Sequence, residues 1–382
     1  MSIKVERSQK PCFKGITYGV KQKHVKIFNY PQEQKAEHED EDLMRKGAFT
    51  FVFCSAFLIP FIAVVPSLSD NTFFNTAQAH SATIPVGIRP GGITYDPSND
   101  RIYVANIWSS TVSVINGSTN SVIDNILVGR YPLWPVYVPS NNQIYVTNAG
   151  SNDTYVINAT TNRVVKSIAV GTEPFGIAYD PTNKSVYVVN LLNNTLSVID
   201  TATDVVVSTI PLGSFSGVIN IPDSNSPSLL AYANDNNALY ISKSPFAVSI
   251  VNSVTNAAID DILLGTTRAN PFGIAYNPTN HNIYVTKSAT NQVSVISTIT
   301  NSIAGNITVG TRPFDIVYNP INHNMYVANQ GSNTVSVIDS ATNTVISTIP
   351  AGSQPTGITY NSSNRHLYVT NIDTNTVTMI HP

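Results

Sequence analysis

From residue 81 onward, apolar positions come in short runs of four to seven residues, and each run stops at Gly, Pro, Asn or Asp. Val, Ile, Tyr and Thr dominate the runs, and no stretch beyond residue 81 keeps a helical period. Bounded β-branched and aromatic runs of this kind predict strands. The segment VGTEPFGIAYDPTNKSVYVVNLLNNTLSVIDTATDVVVSTIP shows the unit: a GIAY-like strand, a turn at Asp180-Pro181-Thr182-Asn183, a VYVVN-like strand, a TLSVID-like strand and a VVVSTI-like strand. Proline presets the turn backbone and the Asx side chains close it.

Tyrosines set the register. Tyr95/Tyr103, Tyr137/Tyr145, Tyr179/Tyr187, Tyr232/Tyr240, Tyr276/Tyr284, Tyr318/Tyr326 and Tyr360/Tyr368 form seven pairs, each eight residues apart. Repeated four-stranded units of about 42 residues predict propeller blades. The alternative is an open solenoid, and the chain ends decide between them. The seventh unit stops after its third strand, Val377–Ile380, and the missing fourth lies at the start of the array, in Ala82–Gly87. That segment matches Ser347–Gly352, so the expectation is an all-β, seven-bladed β-propeller over 81–382, closed by a 3+1 blade that leaves no open array edges.

YVTN occurs at Tyr145–Asn148 and Tyr368–Asn371, YVAN at Tyr103 and Tyr326, and TVSVID at Thr334–Asp339. On these residues the chain resembles the YVTN-repeat β-propeller family, including the surface-layer-type propellers of archaea. The resemblance implies an extracytoplasmic location; its motif residues are scaffold and name no activity. Blades four and five depart from the pattern, with Ser242 and Lys287 read against the motif Asn.

Ahead of the repeats, Gly47–Ser69 is uncharged and mostly apolar. As a helix it would rise roughly 35 Å, enough for a bilayer core of about 30 Å. Arg45 and Lys46 precede it and no cation follows until Arg89, which places the N-terminus inside and the body outside. Two readings stay open: an uncleaved anchor over 47–69, with 1–46 cytoplasmic and 70–80 a linker, or a signal peptide starting at Met44 and cut near Ala77-Gln78-Ala79.

Composition narrows the function classes. Charged residues are only 12% of the chain, and the formal net charge is −2. Ten of the 21 Lys and Arg lie in residues 1–46, so the body has no basic stripe for nucleic acid. Both cysteines, Cys12 and Cys54, precede the repeats, which excludes disulfides and thiolate metal sites from the body. No GxSxG, HExxH, P-loop or EF-hand signature occurs. The expectation is therefore no catalytic set, no cofactor and no metal. His281, His323 and His366 recur in first-to-second strand turns and are read as turn residues.

Spacing separates scaffold from loops. From the VG-motif Gly to the next Tyr is eight residues, except for 19 between Gly213 and Tyr232 and 11 between Gly265 and Tyr276. Length variation thus falls on one face, in loops joining each outer strand to the next inner strand, where binding usually resides. The sequence assigns Trp108, Arg130, Tyr131, Trp134, Glu173, Arg268 and Arg312 to that loop face as ligand- or partner-binding residues. Arg and aromatic side chains are the types that carry interface energy. Phe175, Phe272 and Phe314 share one repeat position and are expected to pack between blades, while Arg89, Glu173 and Arg312 share another and are expected to pair across blades. The insertion Ser214–Ser228 and the loop Thr266–Pro271 are expected to form the working sector. Asn116, Asn152, Asn158, Asn183, Asn193, Asn306 and Asn361 head glycosylation sequons. The leading expectation is an adhesive or surface-layer propeller binding a cell-surface glycan, a protein or its own copies, with the membrane engaged through 47–69. A propeller enzyme of lactonase or lyase type is the alternative, and a docking platform for a redox partner the third reading.

Overall fold

The computed structural model describes residues 82–213, 226–265 and 268–382. Residues 1–81, most of the insertion at 214–228 and the first two residues of the loop 266–271 lie outside the described residues, and with them every expectation placed on the apolar span. Among the described residues no helix is long and apolar enough to cross a membrane.

The described chain is a seven-bladed propeller of four-stranded antiparallel sheets. Blade one consists of β2 (Pro90–Asp96), β3 (Arg101–Asn106), β4 (Thr111–Asn116) and β5 (Ser121–Leu127), and the next five blades repeat this order. The last blade holds β26 (Pro355–Asn361), β27 (His366–Asn371) and β28 (Thr376–Ile380), and its fourth strand is β1 (Ala82–Pro85). β1 runs antiparallel to β28, with Ala82 opposite Met379 and Pro85 opposite Thr376, as the closure argument expects. Ile84 of β1 is 3% exposed and packs with Ile93, Ile102 and Tyr368, so one strand joins the first and last blades in one core.

The YVTN motif becomes legible as inter-blade stitching. Its Tyr hydroxyl crosses to the third-to-fourth strand turn of the next blade: Tyr187 donates to Ser253 O at 3.1 Å, and Tyr368 to Asn120 Oδ1 of blade one at 2.5 Å. Its Thr hydroxyl donates to an inner-strand carbonyl of the next blade, as Thr147 does to Phe175 O at 2.7 Å and Thr286 to Phe314 O at 2.8 Å. Its Asn stays within the blade, where Asn106 Nδ2 donates to Ser113 Oγ at 2.9 Å. A Cβ on the VG-motif Gly87 would come within 2.6 Å of Asn106, so that glycine is needed for close docking on the motif Asn.

Blade four differs from the sequence expectation at the end of its second strand. The motif-Asn position in blade four is held by Lys243, opposite Ala247, while Ser242 occupies the Thr position and donates to Phe272 O at 2.6 Å.

The inner strands surround a central channel. Their third residue is Gly in blades one, three, five and seven (Gly92, Gly176, Gly273, Gly357), and Trp134, Leu229 or Asp315 in the blades between. A Cβ on Gly92 would come within 2.9 Å of Trp134 Cα, and one on Gly273 within 2.7 Å of Asp315 Cα. Small therefore faces large around the ring. Seven is odd, so the alternation cannot close, and blades seven and one meet glycine to glycine.

Candidate functional site

The chain crosses from one blade to the next at the channel mouth on a repeated backbone. In six of the seven blades, the residue just before the inner-strand proline is in the left-handed region: Arg89 (φ 54°), Tyr131 (53°), Glu173 (52°), Asn270 (47°), Arg312 (50°) and Gln354 (50°). Four of these are held by the backbone amide, which donates to an asparagine of the preceding blade: Arg89 to Asn375, Glu173 to Asn152, Arg312 to Asn291 and Gln354 to Asn333, at 2.8–2.9 Å.

The residue types at the mouth do not follow from this backbone. Left-handed φ favours Asn, Asp and His among non-glycine residues. At the other left-handed positions among the described residues, 16 of 19 non-glycine residues are Asn, Asp or His, whereas at the mouth only Asn270 is. Long or charged side chains occupy the mouth at a conformational cost of order 1–3 kcal/mol each. The mouth chemistry is therefore imposed by something other than the turn.

Two Arg–aromatic pairs stand there. The Arg89 guanidinium lies 4.4 Å from the centroid of Trp108, whose side chain is 60% exposed. The Arg130 guanidinium lies 5.7 Å from the Tyr131 ring, 39% exposed. Arg268 and Arg312 are also exposed, and Arg268 Nε donates to Asn270 Oδ1 at 3.0 Å. Glu173 is the acidic exception: burial raises its pKa, and its Oε2 has no hydrogen-bond partner.

Trp134 does not belong to this surface, contrary to expectation. It lies on the inner strand β6 (Pro132–Val138), 8% exposed, with its ring turned into the channel. There it stacks on Phe175 at 5.6 Å and meets Phe272 at 6.0 Å and Phe314 at 6.4 Å, reaching blades three, five and six. The three phenylalanines pack between blades, Phe272 of blade five against Phe314 of blade six at 3.9 Å and Phe175 of blade three edge-on to Phe272 at 5.6 Å. The sequence missed this because a linear repeat gives no sign of which residues converge on the axis.

Asp315, next to Phe314, was also missed. Its carboxylate accepts the amides of Ile316 at 2.9 Å and of Ile358 in blade seven at 3.1 Å. Burial pushes its pKa up to about 7, against the two amides, which favour the charged form.

On the opposite face the histidines serve the turns. His281 Nδ1 lies 3.1 Å from Asp235, and His323 Nδ1 lies 2.7 Å from the Tyr318 hydroxyl. Among the described residues no group of three or more His, Cys, Asp or Glu could hold a metal ion.

The sequons divide by geometry. Asn361 is 0% exposed and spends its Nδ2 on Asp100 at 2.8 Å, and Asn183 Nδ2 bonds the Tyr187 hydroxyl and Ser253 O. A glycan would have to displace both. Asn152, Asn193 and Asn306 are exposed, and Asn116 and Asn158 half-buried.

No family model matches the chain, and no curated protein matches it. Among solved structures, the hydrazine synthase of Kuenenia stuttgartiensis is similar at 19% identity with a TM-score of 0.67, over 77% of this chain and 96% of that one. A streptogramin B lyase is similar at 17% identity, TM-score 0.64, over 78% of this chain and 96% of its own. Virginiamycin B lyase from Staphylococcus aureus follows at 15% identity, TM-score 0.66, over 78% and 98%. Likeness at this level of identity shows the propeller fold alone.

Proposed function

We propose that the chain is an extracytoplasmic binding propeller whose mouth face engages an acidic cell-surface glycan. One observation carries the reading: the Arg89–Trp108 pair, an exposed indole with a guanidinium 4.4 Å from its centroid, on a mouth whose residue types the backbone does not dictate. Exposed aromatic rings offer flat apolar faces to sugar rings, and guanidinium groups bind carboxylate or sulfate through charge-assisted hydrogen bonds. Arg130 with Tyr131 in blade two and Arg312 in blade six extend the same chemistry around the mouth. The resemblance to YVTN-repeat propellers and the apolar span at 47–69 support placement outside the membrane.

The test is retention of the full chain on immobilised polygalacturonate against neutral dextran. Selective retention that is lost in both Arg89→Ala and Trp108→Ala supports the reading; equal retention on the two matrices contradicts it.

Asp315 favours a second reading, an enzyme of lyase type. A buried carboxyl with a pKa near neutrality suits proton transfer, and two of the similar structures are lyases. Turnover of a streptogramin B, lost in Asp315→Asn, is the result that would replace the binding role.

A further inference from the structure

Two blades break the YVTN motif in the same way and resolve the break differently. In blade four, Lys243 replaces the motif Asn and is 0% exposed. It is well supplied: its Nζ donates to Leu212 O at 2.8 Å and Gly213 O at 2.6 Å, and Asp261 lies 3.9 Å away as counter-charge. Asp261 belongs to the fourth strand, opposite Ser249 of the third, and accepts that serine's hydroxyl.

Blade five repeats the arrangement without the charge. Lys287 ends β19 (Asn282–Lys287) and is 4% exposed. The residue matching Asp261 is Asn306, opposite Ser294, and its Oδ1 accepts both Ser294 Oγ at 2.8 Å and Lys287 Nζ at 2.7 Å. No carboxylate among the described residues is paired with Lys287. An ammonium has three donors, and one is used here. Burial pushes its pKa below the usual lysine range, with no neighbouring acid to restore it. A buried charge without a partner is costly, and removing one member of such a pair is strongly destabilising.

In five blades the VG-motif glycine docks tightly on the motif Asn, whereas among the described residues nothing lies within 4 Å of a Cβ on Gly213, ahead of Lys243, or on Gly265, ahead of Lys287. The stretch after it is laced onto the end of β19, since Ser288 N donates to Asn270 O at 3.2 Å and Ala289 N to Ala269 O at 3.1 Å. That stretch carries the exposed Arg268. A buried amine with two unused donors and a second cation thus belong to one blade end.

We propose that Lys287 forms an anion subsite at the blade-five mouth, taking an external carboxylate group in the role that Asp261 plays for Lys243. A carboxylate is the fitting class, because that group already serves the equivalent lysine one blade earlier. This deepens the acidic-glycan reading by naming the group recognised, and it stands on residues separate from Arg89 and Trp108.

The experiment is calorimetric titration of the full chain, at constant ionic strength, with acetate, glucuronate and neutral glucose. Wild type should bind acetate and glucuronate but not glucose. Lys287→Gln should weaken both acids at least tenfold. Asn306→Asp, which supplies an internal carboxylate as in blade four, should do the same while raising the melting temperature without ligand, so a poorly folding Lys287→Gln leaves the test intact. Glucuronate tighter than acetate marks a saccharide carboxylate, and equal affinity marks a small free acid; both support the subsite. Absence of acetate and glucuronate binding, or equal binding in wild type and Asn306→Asp, overturns it. Lys184→Ala, in an exposed turn of the opposite face, should leave acetate binding unchanged, while failure of the glycan reading shows separately as equal retention on polygalacturonate and dextran.

Discussion

Tyr368 in the last blade donates its hydroxyl to Asn120 in the first, 2.5 Å away, across the junction where the ring closes. It also bonds Gly117 O at 3.3 Å and is 0% exposed. Removing a buried hydroxyl that satisfies two acceptors costs roughly 1–3 kcal/mol. Tyr368→Phe should destabilise the propeller by that amount in denaturant unfolding with an unchanged m-value. A change below about 0.5 kcal/mol would show that the hydroxyl is not part of the closure.

Closure itself is tested by β1. A chain beginning at Ile88 loses the four-residue pairing with β28 and the burial of Ile84. Loss of one buried Ile with its strand should cost about 3 kcal/mol or more. A chain beginning at Ser81 should melt as the full chain does. Equal melting temperatures for the two would contradict the 3+1 assignment.

The alternation around the channel makes two glycines behave oppositely. A Cβ on Gly176 would come within 2.8 Å of Leu229 Cα, against backbone that cannot step aside. Gly176→Ala should therefore destabilise by about 1–3 kcal/mol through overpacking. Gly305, on the outer strand β21 (Ser302–Thr308), has nothing within 4 Å of its added Cβ. Gly305→Ala should be neutral or stabilising by up to about 1 kcal/mol. Differential scanning calorimetry of the pair checks both.

Asp315 predicts a pH dependence. Its carboxyl is raised from 3.8 in the unfolded chain to about 7 in the fold. A carboxyl raised on folding contributes stability that is complete below the unfolded value and is lost as pH rises through the folded one. Between about pH 4 and 7 wild type should lose stability relative to Asp315→Asn, by up to roughly 1.4 kcal/mol per pH unit. The offset between the two melting curves should be flat above about pH 8. A constant offset from pH 4 to 8 would contradict the raised pKa.

The fold was legible because its determinants are local and repeated. Tyr pairs, Asx-Pro turns and the orphan strand at Ala82–Gly87 each have one structural meaning, and β1 paired with β28 as that meaning required. The mouth was legible in its exposed side chains: Trp108, Arg130, Tyr131, Arg268 and Arg312 are exposed in inter-strand connections. Trp134 was misplaced because two positions separate a mouth residue from a channel residue, and the bulge at Pro132–Pro135 redirects the side chains between them. Asp315 and Lys287 were illegible as sites for a different reason. Each differs from the repeat by one residue, and its meaning comes from what the neighbouring strand supplies or withholds, as Asn306 does in place of Asp261.

The central claim is that the mouth face, not its opposite, binds acidic ligand. The most direct measurement is the affinity of the full chain for polygalacturonate as a function of salt, in two triple-site comparisons. Arg89, Arg130 and Arg312 all changed to Ala should cut affinity at least tenfold and flatten the salt dependence, since three charge contacts are removed. Lys184, His281 and Arg365, exposed in turns of the opposite face, all changed to Ala should leave both unchanged. Loss of binding in the second set with none in the first would contradict the account.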